Sequence, residues 1–149
     1  MSGPLAYTTV VPASRTAGEV VAMLGEHGAH AVGLTYSDRK PNGVNFLLDT
    51  PAGRAAFALP VDSAGMLRVL SKTGNPAVRP KHRTPEHAER VAWRVVRQWL
   101  EAQLALVEAQ LAKLDQVMLP YQVQDDGRSL YEVYVEGRQR ALGAGGGST

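Results

Sequence analysis

The segment from Thr84 to Met118 constrains this chain most, because it reads as a helix with no internal breaker. Thr84, Pro85 and Glu86 form a start signal. A threonine hydroxyl accepts from an unpaired amide, proline suits the first helical position, and glutamate faces the positive end of the helix dipole. The run is expected to stop before Pro120. A rod of this length, roughly 50 Å at about 1.5 Å per residue, exceeds the radius of gyration of roughly 15 Å expected for such a chain. Part of it must lie along a sheet, stand in solvent or meet a partner.

Two apolar rows run along this helix. Trp93, Val96, Leu100, Leu104, Val107, Leu111, Leu114 and Met118 are spaced three or four apart, with Ala92, Val95, Trp99, Ala102, Leu106 and Ala109 beside them. The face is broader than a two-position coiled-coil seam. Its N-terminal half is expected to cover a sheet. Its C-terminal half, Leu104, Val107, Leu111, Leu114 and Met118, has less chain left to cover it and is the expected interface for self-association or for another protein.

The preceding half reads as α+β. Thr16 and Glu19 match a capping box ahead of Val20, Val21, Met23 and Leu24, with Gly28 as an end signal. Val32, Leu34 and Tyr36 alternate with Gly33 and Thr35. Val44, Phe46 and Leu48 repeat the alternation, and so do Ala55, Phe57 and Leu59. These are strand patterns. Residues 38–43, from Asp38 to Gly43, carry turn chemistry between the first two, with Asn42 and Gly43 the strongest dipeptide in it. Asp62 or Ser63 can cap a second short helix through Met66, Leu67 and Leu70. Ser129 and Glu132 match another capping box, yet residues 121–136 fit a helix and a strand equally. The predicted fold is α+β. It runs from a short helix through a three-stranded antiparallel meander and a second short helix. One long helix, about 85–118, then packs across the sheet and projects beyond it. Residues 1–142 form a single domain and 143–149 a flexible Gly-rich tail.

Charge supplies one asymmetry. The chain has 16 Lys and Arg against 14 Asp and Glu, a formal net charge of +2. Residues 68–97 hold eight bases, Arg68, Lys72, Arg79, Lys81, Arg83, Arg90, Arg94 and Arg97, against Glu86 and Glu89. Arg90, Arg94 and Arg97 are four and three apart and share one helix face. With Arg79, Lys81, His82 and Arg83 they form a basic loop–helix strip suited to phosphates of DNA or RNA. The bland alternative is a solvated face with Arg97 paired to Glu101. No RNA-recognition, zinc-finger or helix-turn-helix pattern accompanies the strip.

Catalytic and metal signals are missing from the sequence. Zero cysteines remove disulfides, thiolate sites and cysteine nucleophiles. His27 and His30 bracket the end of the first helix, where capping or surface roles are expected. His82 and His87 lack metal-ligand spacing, and no nucleophile elbow or phosphate-cradling loop is present. The expectation is a non-enzymatic protein with no cofactor, no metal and no small-molecule substrate. No signal peptide or bilayer-spanning run is recognisable, which predicts a cytoplasmic, membrane-free protein.

Asp49, Thr50 and Pro51, Ala56 through Pro60, Ala88 through Arg94, Trp99 through Gln103, and Leu119 through Tyr121 carry a resemblance. Over roughly residues 8–135 the chain resembles a family of small bacteriophage, prophage and mobile-element proteins with no assigned activity. The resemblance implies a host bacterial cell as the setting and nothing about chemistry. The leading expectation is therefore a phage accessory protein that contacts nucleic acid in replication, recombination or repair. The alternative is a protein–protein adaptor or inhibitor that uses the long helix.

Overall fold

The computed structural model describes residues 9–72 and 83–146. The elements are α1 (Ala13–Glu26), β1 (His30–Ser37), β2 (Lys40–Thr50), β3 (Gly53–Pro60), α2 (Ser63–Leu70), α3 (Pro85–Glu108), α4 (Leu114–Val117) and α5 (Leu130–Gly146), with a 3₁₀ turn at Leu119–Tyr121. The sheet is an antiparallel meander in the order β1-β2-β3. The order of elements is the expected one, with the long helix packed on the sheet.

Strand alternation separates the two faces of the sheet. Leu34, Val44 and Leu59 lie in one cross-strand row, and Phe46 pairs with Phe57 in the next. The two phenylalanine rings stack with centroids 5.6 Å apart. This face is buried under α1 and α3. From α1 come Ala17, Val20 and Leu24, and from α3 come Trp93, Leu100 and Leu104. The Trp93 indole donates its N–H to the Pro41 carbonyl at 2.9 Å, so the largest core side chain leaves no donor unpaired. A smaller cluster, Leu70 with Ala88 and Val91, seats α2 on α3.

Local chemistry starts most of the helices. Asp62 accepts from the Gly65 amide at 2.8 Å and caps α2. Thr84 accepts from the His87 amide at 3.2 Å and caps α3. At α5, Ser129 accepts from the Glu132 amide at 3.1 Å while Glu132 accepts from the Ser129 amide at 3.2 Å, a reciprocal capping box. Helix is thus the outcome from Leu130 onward. Helix α1 differs from expectation. It begins at Ala13, and Thr16 is buried on its inner face with Ala17 and Val20. Burial of that face outweighs the capping preference of threonine.

The first hairpin turn falls inside the expected 38–43 segment, but at its start rather than at Asn42 and Gly43. Asp38 and Arg39 both adopt left-handed backbone, φ 51° and 65°, between the paired residues Ser37 and Lys40. Two consecutive left-handed residues make the mirror-image turn that matches strand twist. Asn42 and Gly43 lie inside β2 instead. A Cβ at Gly43 would sit 2.7 Å from the Thr35 hydroxyl, so glycine there serves close strand packing rather than a turn.

The largest correction concerns α3. It ends at Glu108, not at Met118. Gln110 is left-handed, φ 61°. The Leu111 amide donates to the Leu106 carbonyl and the Gln110 amide to the Val107 carbonyl, both at 3.0 Å. This is a Schellman stop made without glycine. Residues 109–113 contain no breaker, so their own preference opposes the turn. Burial of Leu114 and Met118 in the main core offsets that cost. After the 3₁₀ turn the Val123 amide donates to the Ala56 carbonyl at 2.8 Å, and Gln122 bridges to Phe57. The chain thereby returns to the outer edge of β3.

A second correction concerns the C-terminus. Helix α5 continues through Gly143 to Gly146, where a flexible tail is expected. The Ser129–Glu132 box nucleates it and no proline interrupts it. Each interior glycine costs about 1 kcal/mol relative to alanine, so this half of α5 is weak by itself.

One ionisable clamp joins the C-terminal ends of α1 and α3. His27 donates through Nδ1 to the Met23 carbonyl and through Nε2 to the Glu108 carboxylate, both at 2.8 Å. Both ring nitrogens face acceptors, which requires the imidazolium form. The hydrogen bond to Glu108, followed by that to Met23, raises the His27 pKa above its ordinary 6.5.

Two predictions follow from these turns and clamps. Gln110→Gly should raise stability by up to about 1 kcal/mol in chemical denaturation, because glycine relieves the left-handed backbone. A helix continuous to Met118 would instead lose about 1 kcal/mol. For His27→Gln, the deficit relative to the parent should be largest below pH 6.5. It should shrink as pH rises through the raised folded-state pKa, because that contribution is lost when the imidazolium deprotonates. Thermal unfolding of both proteins across pH reads this directly.

Candidate interaction surfaces

The basic strip is built on the polar face of α3, and the fold draws part of it inward. Glu19 of α1 lies 2.6 Å from Arg97 and 3.5 Å from Arg94. Arg97 also donates to Glu101 at 3.1 Å. Arg15 approaches the same Glu19 at 3.8 Å. Arg94, Arg97 and Glu19 are all about two-thirds covered, so these charges serve the α1–α3 contact. Nothing in local spacing pointed to Glu19, which comes from the other end of the chain.

Arg90 is placed differently. Its guanidinium donates to Nδ1 of His87 at 3.3 Å, and His87 is buried at the start of α3. Lys40, from the first hairpin, pairs with Glu89 at 3.1 Å. Arg83 stands half-buried just before α3. Arg79, Lys81 and His82 lie outside the described residues. Arg83 and Arg90 are therefore the described members of the strip that stay clear of the Glu19 network.

The expected apolar interface on the long helix is corrected by the turn at 109–113. Leu104, Leu114 and Met118 belong to the core, and Val107 packs against it half-buried. Only Leu111 of that set is widely exposed, at 75%. With the helix stopped at Glu108, the next apolar residues fold back onto the sheet layer rather than extending a rod.

Exposed apolar surface appears elsewhere. Leu119, Tyr131 and Tyr134 are 47%, 61% and 65% exposed and line one shallow hollow with Pro120 and Leu130. Tyr131 also borders a half-open cleft of about 690 Å³ on the outer face of the sheet. The floor of this cleft follows from strand parity. Gly33, Asn45 and Ala58 lie in one cross-strand row, with Thr35, Gly43 and Pro60 in the next. None of these side chains is larger than asparagine, so the backbone is within easy reach of whatever approaches. Tyr121 and Val123 wall the cleft on the β3 side, and Glu132 on the α5 side. Tyr121 is braced edge-on by Trp99. The small residues at alternate strand positions were visible in the sequence. The tyrosines meet them only because residues 109–123 turn back.

A second polar cluster sits at one end of the sheet. Asp49 accepts from Arg54 at 2.9 Å and from His30 at 3.0 Å. Arg54 first, and His30 second, hold its carboxyl below the usual carboxylate range. All three side chains are exposed, and their contacts tie the end of β2 to β1 and β3. Among the described residues no three His, Asp or Glu side chains converge as a metal site requires. No helix among them is long and apolar enough to cross a membrane.

Compared with known proteins, the chain matches no family model, no curated protein and no solved structure.

Proposed function

We propose that this chain is a non-enzymatic accessory protein that works by binding another protein. The surface is the exposed Leu119, Tyr131 and Tyr134 cluster with the adjoining outer-sheet cleft. The carrying observation is that these large apolar groups stand exposed together around one shallow hollow, and that Tyr131 also borders the outer-sheet cleft. Tyrosines of this kind supply large contact area at low entropic cost and dominate many interfaces. A phage or mobile-element setting inside a bacterial cell accompanies this reading, on the sequence resemblance alone. The interface differs in place from the one expected on the long helix.

A second reading, contact with DNA or RNA, keeps a specific support. Arg90 donates to the His87 ring rather than to Glu19, and Arg68 and Lys72 are exposed in the same basic stretch. Arg94 and Arg97 contribute less to it because Glu19, together with Glu101 on Arg97, offsets part of their charge.

One set of variants separates the readings. Tyr131→Ser combined with Tyr134→Ser should weaken capture of the protein partner at least about tenfold, the scale of an interface hot spot. Folding stability should change by no more than about 0.5 kcal/mol, because both side chains are exposed. Arg90→Glu should leave capture unchanged. Fluorescence anisotropy with labelled DNA and RNA at two salt concentrations covers the alternative. Salt-sensitive binding that is lost in Arg90→Glu and kept in the tyrosine variant would overturn the protein-binding reading.

A further inference from the structure

Helix α5 emerges from the body after its first turns. Val133 and Val135 are half-covered, whereas every residue from Glu136 to Gly145 is exposed. That exposed half carries Gly137, Gly143 and Gly145, the residue type least suited to hold a helix in water. It is also shorter than the ~12–15 residues at which isolated helices become even marginal. A helix so composed gains its order from a surface laid against it.

The spacing identifies which side is covered. Tyr131, Tyr134, Arg138, Ala141 and Leu142 recur at intervals of three and four and share one side of α5. Tyr131, Tyr134 and Leu142 are exposed large apolar residues on it. Glu136 lies on the opposite side, where it holds Arg128 and Arg140. The tyrosine side therefore offers two aromatic faces, one cation and one aliphatic group, in that order along the helix.

We propose that this side of α5 pairs with α5 of a second copy of the chain, antiparallel. It rests on reading the Leu119, Tyr131 and Tyr134 surface as an interface, and it names the occupant. With the two-fold axis level with Glu136, Arg138 of each copy lies over Tyr134 of the partner subunit, a cation on an aromatic face. Leu142 of each copy lies against Tyr131 of the partner subunit. The same antiparallel arrangement opposes the helix dipoles. A parallel pair would instead set Arg138 against its own counterpart. Self-complementarity of this order, aromatic toward one end and cation and leucine toward the other, is what an isologous contact requires. A helix of 17 residues is about 25 Å long, and one such pair buries much less than the ~1,600 Å² of a standard stable interface. The association is therefore reversible and rises with concentration.

The test uses the full chain, which has no cysteine of its own. Tyr131→Cys combined with Leu142→Cys should give a disulfide-linked dimer under mild oxidation. Leu142→Cys alone should give none, because antiparallel pairing sets the two copies of that position about 18 Å apart, beyond the ~7 Å limit for a disulfide. Sedimentation equilibrium of the unmodified protein should show the mass climbing from 16.0 kDa toward twice that value as concentration rises. Leu142→Asp should hold it at the lower value. A wild-type mass of 16.0 kDa at every concentration, or cross-linking of Leu142→Cys alone as readily as of the pair, overturns the proposal. If the mass stays low while the tyrosine substitutions still abolish capture of a different protein, the second copy is the wrong occupant and the interface reading stands. If capture is also unaffected, both fall.

Discussion

The turn at residues 109–113 is the constraint on which the rest of this structure depends. Its hydrogen bonds close α3 at Glu108 and reverse the chain onto the sheet layer. Left-handed backbone at a glutamine is unfavourable, and so is ending a helix inside a run of good helix formers. The compensation is burial. Leu114 and Met118 enter the core formed by the sheet, α1 and α3. Each buried side chain of this size is worth roughly 1.5–3 kcal/mol relative to exposure, more than the local penalties. Everything later in the chain inherits its position from this reversal. That includes the 122–123 pairing with β3, the tyrosines beside the cleft and the launch of α5.

The same economy governs the charges. Glu19 gathers arginines of α3 against α1, while His27 and Glu108 close the other end of that helix pair. A basic face that reads in sequence as a ligand surface is thus partly a device for joining two helices. Partly covered ion pairs of this kind contribute modestly to stability. Their larger effect here is on specificity of packing, since Arg94 and Arg97 can satisfy Glu19 only when α1 crosses α3 at this position.

Features set by neighbouring residues were legible in the sequence. Thr84 and Asp62 cap the helices that follow them, Ser129 and Glu132 form their box, and Val44, Phe46 and Leu48 alternate as the buried side of β2. Features decided by distant contacts were not. The end of α3 has no breaker and depends on where Leu114 and Met118 find space. The turn segment 38–43 was legible, but its exact place was not: the first hairpin turns at Asp38 and Arg39, and Gly43 sits instead where Thr35 approaches. The candidate surface followed the same division. Small residues at alternate strand positions were readable, but their meeting with Tyr121 and Tyr131 depends on the reversal. The basic strip was readable as a charge excess, and Glu19, which absorbs part of it, was not.

Comparing Leu111→Asp with Leu114→Asp in equilibrium chemical denaturation tests this account most directly. The two leucines sit three positions apart on what would be one continuous helix face. The reversal makes one of them surface and the other core. Leu111→Asp should change stability by no more than about 0.5 kcal/mol, whereas Leu114→Asp should cost about 3 kcal/mol or more by burying a charge without a partner. Similar small losses for both would contradict the account, because they would place Leu114 in solvent and α3 on a straight course to Met118.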